Sequence, residues 1–178
     1  MYISEITTEA PVDKRSKIEM DTFNMLKKLN IPFERVDNDV AYTMEECVEI
    51  DKALDVVVWK NIFLCNQKKS SFFLLVMGPD KELDTKALEE QIGVSKLSFA
   101  SEEHMIQHLG TRPGSASIMG LMNDVDDYVQ LIVDKEVADA EFYGCNVGVN
   151  TTHVKVKTKL LLEKFVPHTY HRVKVVNL

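Results

Sequence analysis

The segment HLGTRPGSASIMGLMND, His108 to Asp124, gathers Gly110, Pro113, Gly114 and Gly120 within eleven positions of a 178-residue chain holding seven glycines and five prolines. Small Ser115, Ala116 and Ser117 stand beside them. Pro113–Gly114 suits a type II turn, because proline presets φ at the second position and glycine supplies positive φ at the third. The same residues suit a ligand cradle, because glycine lets the backbone approach a bound group and turn its N–H groups inward. Both readings stay open on these residues alone. Two phosphate and nucleophile signatures are excluded: Gly110 and Gly114 enclose three residues where a P-loop needs four, and no GxSxG elbow occurs.

Outward from this loop the pattern alternates between helix and strand. Upstream, apolar residues from Lys14 to Asn30 recur at helical spacing, and NIPFERV ends that helix and opens a strand. Thr43 and Glu46 stand in capping-box positions for a short second helix. DVVVWKNIFLCN and SFFLLVM read as a buried hairpin. Asp84 can cap a helix from Thr85 to Gln91, SKLSFAS makes a short strand, and Ser101 starts a helix running to Leu109. Downstream, YVQLIVD, AEFYGCN and HVKVKT are strands, and Thr158 can cap a last helix stopped by Pro167. With no repeat, linker or low-complexity segment, the expectation is one α/β domain over residues 1–178 with a mixed sheet.

Bulk properties narrow the function classes. Apolar residues make up 45% and charged residues 28%, the balance of a globular protein. Neither a membrane span nor a signal peptide is evident, and three scattered cysteines suit reduced thiols, so a cytoplasmic protein is expected. Net charge is −7, but residues 151–178 carry Lys155, Lys157, Lys159, Lys164, Arg172 and Lys174 against Glu163 alone. That asymmetry permits a phosphate-facing patch; a solvated face explains it equally well.

Three segments read in order carry a resemblance. WKNIFLCN, LGTRPGSASIMGLMND and CNVGVNTTHVKVKTKLLLEKF resemble the successive signature segments of the YbaK/ProX family of aminoacyl-tRNA deacylases, nearest to its free-standing ProX branch. The match spans about residues 33–165. The resemblance implies a mostly antiparallel curved central sheet flanked by helices. It also implies hydrolysis in trans of a wrongly charged tRNA, for this branch alanyl-tRNA(Pro), with prolyl-tRNA synthetase as a further partner. No cofactor or metal is implied. The family's strand lysine and the asparagine after it map onto Lys60 and Asn61, its loop onto Gly110, Pro113, Gly114, Ser115, Ala116 and Ser117, and its strand-end pair onto Asn150 and Thr151.

Those positions have sensible chemistry. An aminoacyl ester is activated, so water and a site that stabilises the oxyanion suffice. Amides at Gly114 or Ser115 are candidate donors, and Lys60 can hold a phosphate or the substrate carbonyl. Two positions depart from the family pattern: Ile118 stands at the loop proline, and Asn146-Val147 at a His-Pro pair. His153 is seven residues beyond Asn146, and along an alternating strand that odd offset turns it to the other face. The departures leave two other readings open, a binding module for a tRNA acceptor end or synthetase, and a deacylase for another small amino acid such as cysteine. His104 and His108, like His168 and His171, are expected at the surface without a metal. Trp59 is expected as a buried strand residue rather than a stacking platform.

Overall fold

The computed structural model describes residues 1–178. Eight strands form two sheets. β1 (Phe33–Asp37), β7 (Thr152–Lys157) and β6 (Phe142–Asn146) make one, in the order β1-β7-β6. β2 (Lys60–Cys65), β3 (Phe72–Met77), β4 (Ser98–Phe99), β5 (Val129–Asp134) and β8 (Val173–Val176) make the other, in the order β4-β2-β3-β5-β8. Both pairings of the first sheet and those of β2 with β3 and β4 are antiparallel, whereas β5 pairs in parallel with β3 and β8. The architecture is therefore mixed α/β and mostly antiparallel, as expected, but its sheet is divided in two.

β3 explains why SFFLLVM does not alternate. Phe72, Leu74 and Val76 enter the main core between the sheets, with Trp59, Tyr143, Cys145 and Val154. Phe73, Leu75 and Met77 face a second cluster with Leu88 of α3 (Thr85–Ile92). A central strand covered on both faces needs apolar residues at every position. A third cluster seats α2 (Met44–Leu54) through Cys47, Ile50 and Leu54 against Val36 and Val58.

The expected caps form. Thr43 completes a capping box with Glu46, Asp84 accepts from the Ala87 amide, and Ser101 from the His104 amide at the start of α4 (Glu102–Leu109). α1 (Lys17–Lys28) starts at Ser16, and a short α5 (Lys135–Asp139), unforeseen, follows β5. The last helix departs from expectation. Thr158 is its first residue rather than its cap, and it continues through Pro167 to His168. A π segment, Leu161–Phe165, precedes the proline. Looser i→i+5 bonding relieves the clash and the missing N–H that proline brings to an α-helix.

Two histidines expected at the surface are buried. His108 packs its ring on Phe72 and Tyr128. His171 Nε2 donates to Asp124 Oδ2 at 2.9 Å, while the Asp124 carboxylate also accepts from the Tyr128 and Val129 amides. Asp124 thus ties the approach to β8 onto the start of β5. Asp124, Asp127 and His171 lie close enough to share an ion in principle, but the Asp124 oxygens already have three protein donors.

The two sheets are joined at one glycine. The Gly144 amide donates to Val57 O and its carbonyl accepts from the Trp59 amide, each at 3.1 Å. A Cβ on Gly144 would stand 2.6 Å from Val57 O and 2.9 Å from Val56 Cγ1. Only glycine permits this backbone approach. Gly144→Ala is expected to cost about 1–3 kcal/mol, read as a lower urea midpoint; an unchanged midpoint would show that the seam yields without cost.

Candidate active site

The seam brings the start of β2 against the facing ends of β6 and β7. Beside it lies a cavity of about 370 Å³, walled by Lys60 and Asn61 of β2, Pro113, Gly114 and Ala116 of the glycine loop, Asn146 of β6 and His153 of β7. Tyr42 through Met44 at the start of α2, and Phe99 through Met105 around the start of α4, contribute Tyr42, Met44, Phe99, Ala100, Glu102 and Met105. The expected lysine and the expected loop therefore share one recess.

The loop satisfies both of its open readings. Gly114 has φ +85°, and the Ser115 amide donates to Arg112 O at 2.9 Å, which closes a type II turn over Arg112–Ser115. That closure corrects one expected role. Ser115 cannot offer its amide to an oxyanion, because both its amide and its hydroxyl donate to Arg112 O, and it does not line the cavity. Gly114 and Ala116 do line it, and their amides make no hydrogen bond within the chain.

Of the other expected residues, Gly110, Ser117, Asn150 and Thr151 hold the site rather than line it, and Asn146 does both. Gly110 caps α4 in the left-handed conformation at φ +66°. Ser117 is fully buried and donates its hydroxyl to Asn146 O at 2.7 Å, fixing the loop to β6. Asn146 returns the contact, donating to Ala116 O, and accepts from the Gly148 amide. Asn150 and Thr151 lie outside the cavity wall and act through their carbonyls. Thr151 O accepts from the Asn38 amide; Asn150 O accepts from the Ala41 amide and the Asn38 side chain. They fix the segment that sets the Tyr42 ring beside Gly114, 3.4 Å from where a Cβ on that glycine would stand.

Lys60 is the cavity's one basic side chain, since none of the six basic residues beyond position 150 lines it. Its Nζ donates to Lys81 O, and no carboxylate pairs with it. Lys81 in turn bonds Asp134 at 2.6 Å and Glu136 at 3.0 Å. Trp59 is buried, as expected, yet its Nε1 and the Asn61 Oδ1 have no partner in the chain. Cys47 also lines the cavity, but burial and nearby Asp51 and Glu46 push its thiol up to about 11. A thiol kept protonated is not a nucleophile.

His153 overturns the parity argument. Asn146 and His153 lie on different strands and are direct partners in the β6–β7 register, so both face the cavity. The odd offset counts residues through a turn, where alternation does not hold. The missed signal was the turn itself: Gly148, at φ +88°, lies between the two positions.

The aminoacyl-tRNA editing domain model matches residues 39–164. The chain belongs to this family and is an aminoacyl-tRNA deacylase. It is similar to the "Prolyl-tRNA editing protein ProX" of Acetoanaerobium sticklandii, 32% identical over 154 residues, 86% of this chain and 93% of that protein. It also resembles "Prolyl-tRNA synthetase associated domain-containing protein 1" of Danio rerio, 29% identical over 91% of this chain and 86% of the relative. Its fold matches the crystal structure of "a putative trans-editing enzyme for prolyl tRNA synthetase" with TM-score 0.69 at 14% identity, covering 93% of this chain and 98% of that one. No helix is long and apolar enough to cross a membrane.

Burial pushes His153 down to about 4 from its ordinary 6.5, so the fold holds it neutral. The unfolded chain takes up this proton first as pH falls. Stability tied to His153 is therefore complete above about pH 6.5 and is lost as pH drops toward 4. Between those limits the unfolding free energy of the wild type is expected to fall more steeply than that of His153→Asn, by on the order of 1 kcal/mol per pH unit. His108 is lowered in the same direction by burial and cancels in this comparison. Parallel slopes in urea titrations would contradict the neutral assignment.

Proposed function

We propose that this protein edits in trans, hydrolysing alanyl-tRNA(Pro). The observation that carries the reading is that Lys60, Gly114 and Ala116 line one cavity, with the Gly114 and Ala116 amides unbonded within the chain. The ester carbonyl lies toward those amides, which stabilise the oxyanion as water attacks. Lys60 holds the phosphate of the terminal nucleotide or the substrate's ester carbonyl. The carbonyl–water C–O bond forms, the bond to the ribose oxygen breaks, and the proton from water finishes on the ribose hydroxyl. No protein nucleophile takes part.

The cavity's size supports entry of the acceptor end alone. About 370 Å³ accommodates an aminoacyl group with its ribose. Tyr42 and Phe99 line the same cavity and are 72% and 73% exposed. Exposed aromatic rings at the mouth of a nucleic-acid site stack on bases for about 1–3 kcal/mol each. They take the role that buried Trp59 cannot. Ala41, Ala100, Met105 and Ala116 give the wall its apolar character and suit a small side chain. Editing is needed for such residues because one methylene changes discrimination by only about 1–3 kcal/mol. The name of the Acetoanaerobium sticklandii relative supports proline tRNA as the carrier, and that of the Danio rerio relative, which mentions prolyl-tRNA synthetase, supports that enzyme as the source of the mischarged substrate.

The test is a deacylation panel with Ala, Ser, Cys and Pro esters on proline tRNA. The alanyl ester is expected to be cleaved fastest, and Lys60→Ala to abolish cleavage. Preference for the cysteinyl ester would move the substrate, while no acceleration of any ester would reject the reading. Tyr42→Ala is expected to raise KM by about 5- to 100-fold with kcat little changed; an equal loss in kcat would place Tyr42 in the chemical step instead.

A further inference from the structure

One imidazole in the cavity has no role in the mechanism above. His153 is 2% exposed, lines the cavity, and stands directly across the β6–β7 ladder from Asn146. Asn146 is the position where the resembling family carries a histidine. This chain keeps an imidazole at the cavity but places it on the opposite strand.

The hydrogen bonds around His153 fix its tautomer. Asn38 Nδ2 donates to Asp39 O at 2.7 Å and to Asn150 O at 3.0 Å. With both amide hydrogens engaged, Asn38 Oδ1 can only accept, so His153 Nδ1–H donates to it at 2.9 Å. Nε2 is then unprotonated and makes no hydrogen bond within the chain. Burial keeps the ring neutral, pushing it down to about 4. Glu102 is the only carboxylate lining the cavity, and it is exposed and paired with Arg112.

Every aminoacyl ester carries a free α-amino group, a donor in either protonation state. Inside this cavity it needs an acceptor, and the wall offers the lone pair on His153 Nε2, which no group of the chain occupies. We propose that His153 Nε2, held by Asn38, accepts a hydrogen bond from the substrate's α-amino group and so selects esters in which that group is free. Selection of this kind spares peptidyl-tRNA and N-acylated aminoacyl-tRNA, because their nitrogen keeps a single N–H fixed in the amide plane and the acyl group beside it must find room in the cavity. The inference rests on the deacylase reading and adds to it the chemical feature that is read.

Asparagine and glutamine separate the two ring nitrogens. His153→Asn keeps a donor where Nδ1 stands, preserving the bond to Asn38, and removes the acceptor. His153→Gln carries its amide oxygen toward the Nε2 position. Single-turnover deacylation is measured at pH 7.5 with alanyl-tRNA and N-acetyl-alanyl-tRNA, alongside the melting temperature of each variant. The wild type is expected to prefer the free-amine ester by at least about tenfold. His153→Asn is expected to lose about 10- to 100-fold on that ester alone, closing the gap, and His153→Gln to recover part of it. Wild-type rates and selectivity in a folded His153→Asn would overturn the proposal, leaving deacylation intact. An equal fall on both esters would overturn it as well, by assigning His153 to the framework. A wild type inactive on all esters would remove the reading on which it rests.

Discussion

The backbone contact between Gly144 and Val57–Trp59 is the constraint on which the site depends. Two amide-to-carbonyl bonds join sheets that are otherwise separate ladders, and the missing Cβ sets their distance. The contact falls immediately before Lys60, the first residue of β2, and within two residues of Asn146, the last of β6. The seam therefore fixes the lysine side of the cavity relative to the strand pair that supplies Asn146 and His153. The glycine loop joins from a third direction, and Ser117 fastens it to the Asn146 carbonyl. No single element contains the site; the joints between elements define it.

These joints are polar and mostly made by groups that never face the cavity. Asn150 and Thr151 illustrate the point. Their carbonyls hold Asn38 and Ala41, Asn38 holds the His153 ring, and Ala41 leads into Tyr42 at the mouth. Below them, Arg15 and Arg35 grip Asp37, whose carboxyl they hold well below the usual range, and Thr152 donates to the same carboxylate. Charge-assisted contacts of this kind fix geometry where loops would otherwise wander. The discrimination among small side chains proposed for this pocket needs such a rigid frame.

Much of the architecture was legible because local signals agreed with one another. Capping residues marked α2, α3 and α4, β-branched runs marked the buried hairpin, and Pro113–Gly114 specified its turn. Lys60 and the glycine loop could be paired through their resemblance to an editing domain, and the cavity contains both. What escaped was whatever depends on a partner distant in sequence. Ser115 and Gly114 are neighbours with equal claims to an oxyanion, and only the closing bond to Arg112 distinguishes them. His108 and His171 look like surface histidines until Phe72 and Asp124 arrive from elsewhere in the chain. His153 was misjudged because strand parity was carried across a turn.

The electrostatics of the cavity follow a consistent logic. A buried ion without a counterion is expensive, and a buried ion pair is already neutralised toward a substrate. The structure avoids both. The buried imidazole of His153 is neutral, and Cys47 stays a thiol. The one cation, Lys60, is part-exposed and leans on a backbone carbonyl, a dipole that orients it without cancelling its charge. The nearby carboxylates Asp134 and Glu136 are bound instead to Lys81, whose own carbonyl supplies that dipole. Lys81 thus pairs with those carboxylates through its ammonium group while its carbonyl positions Lys60. The charge that remains is paired with no carboxylate, which is what the role proposed for Lys60, holding a phosphate or carbonyl oxygen, requires.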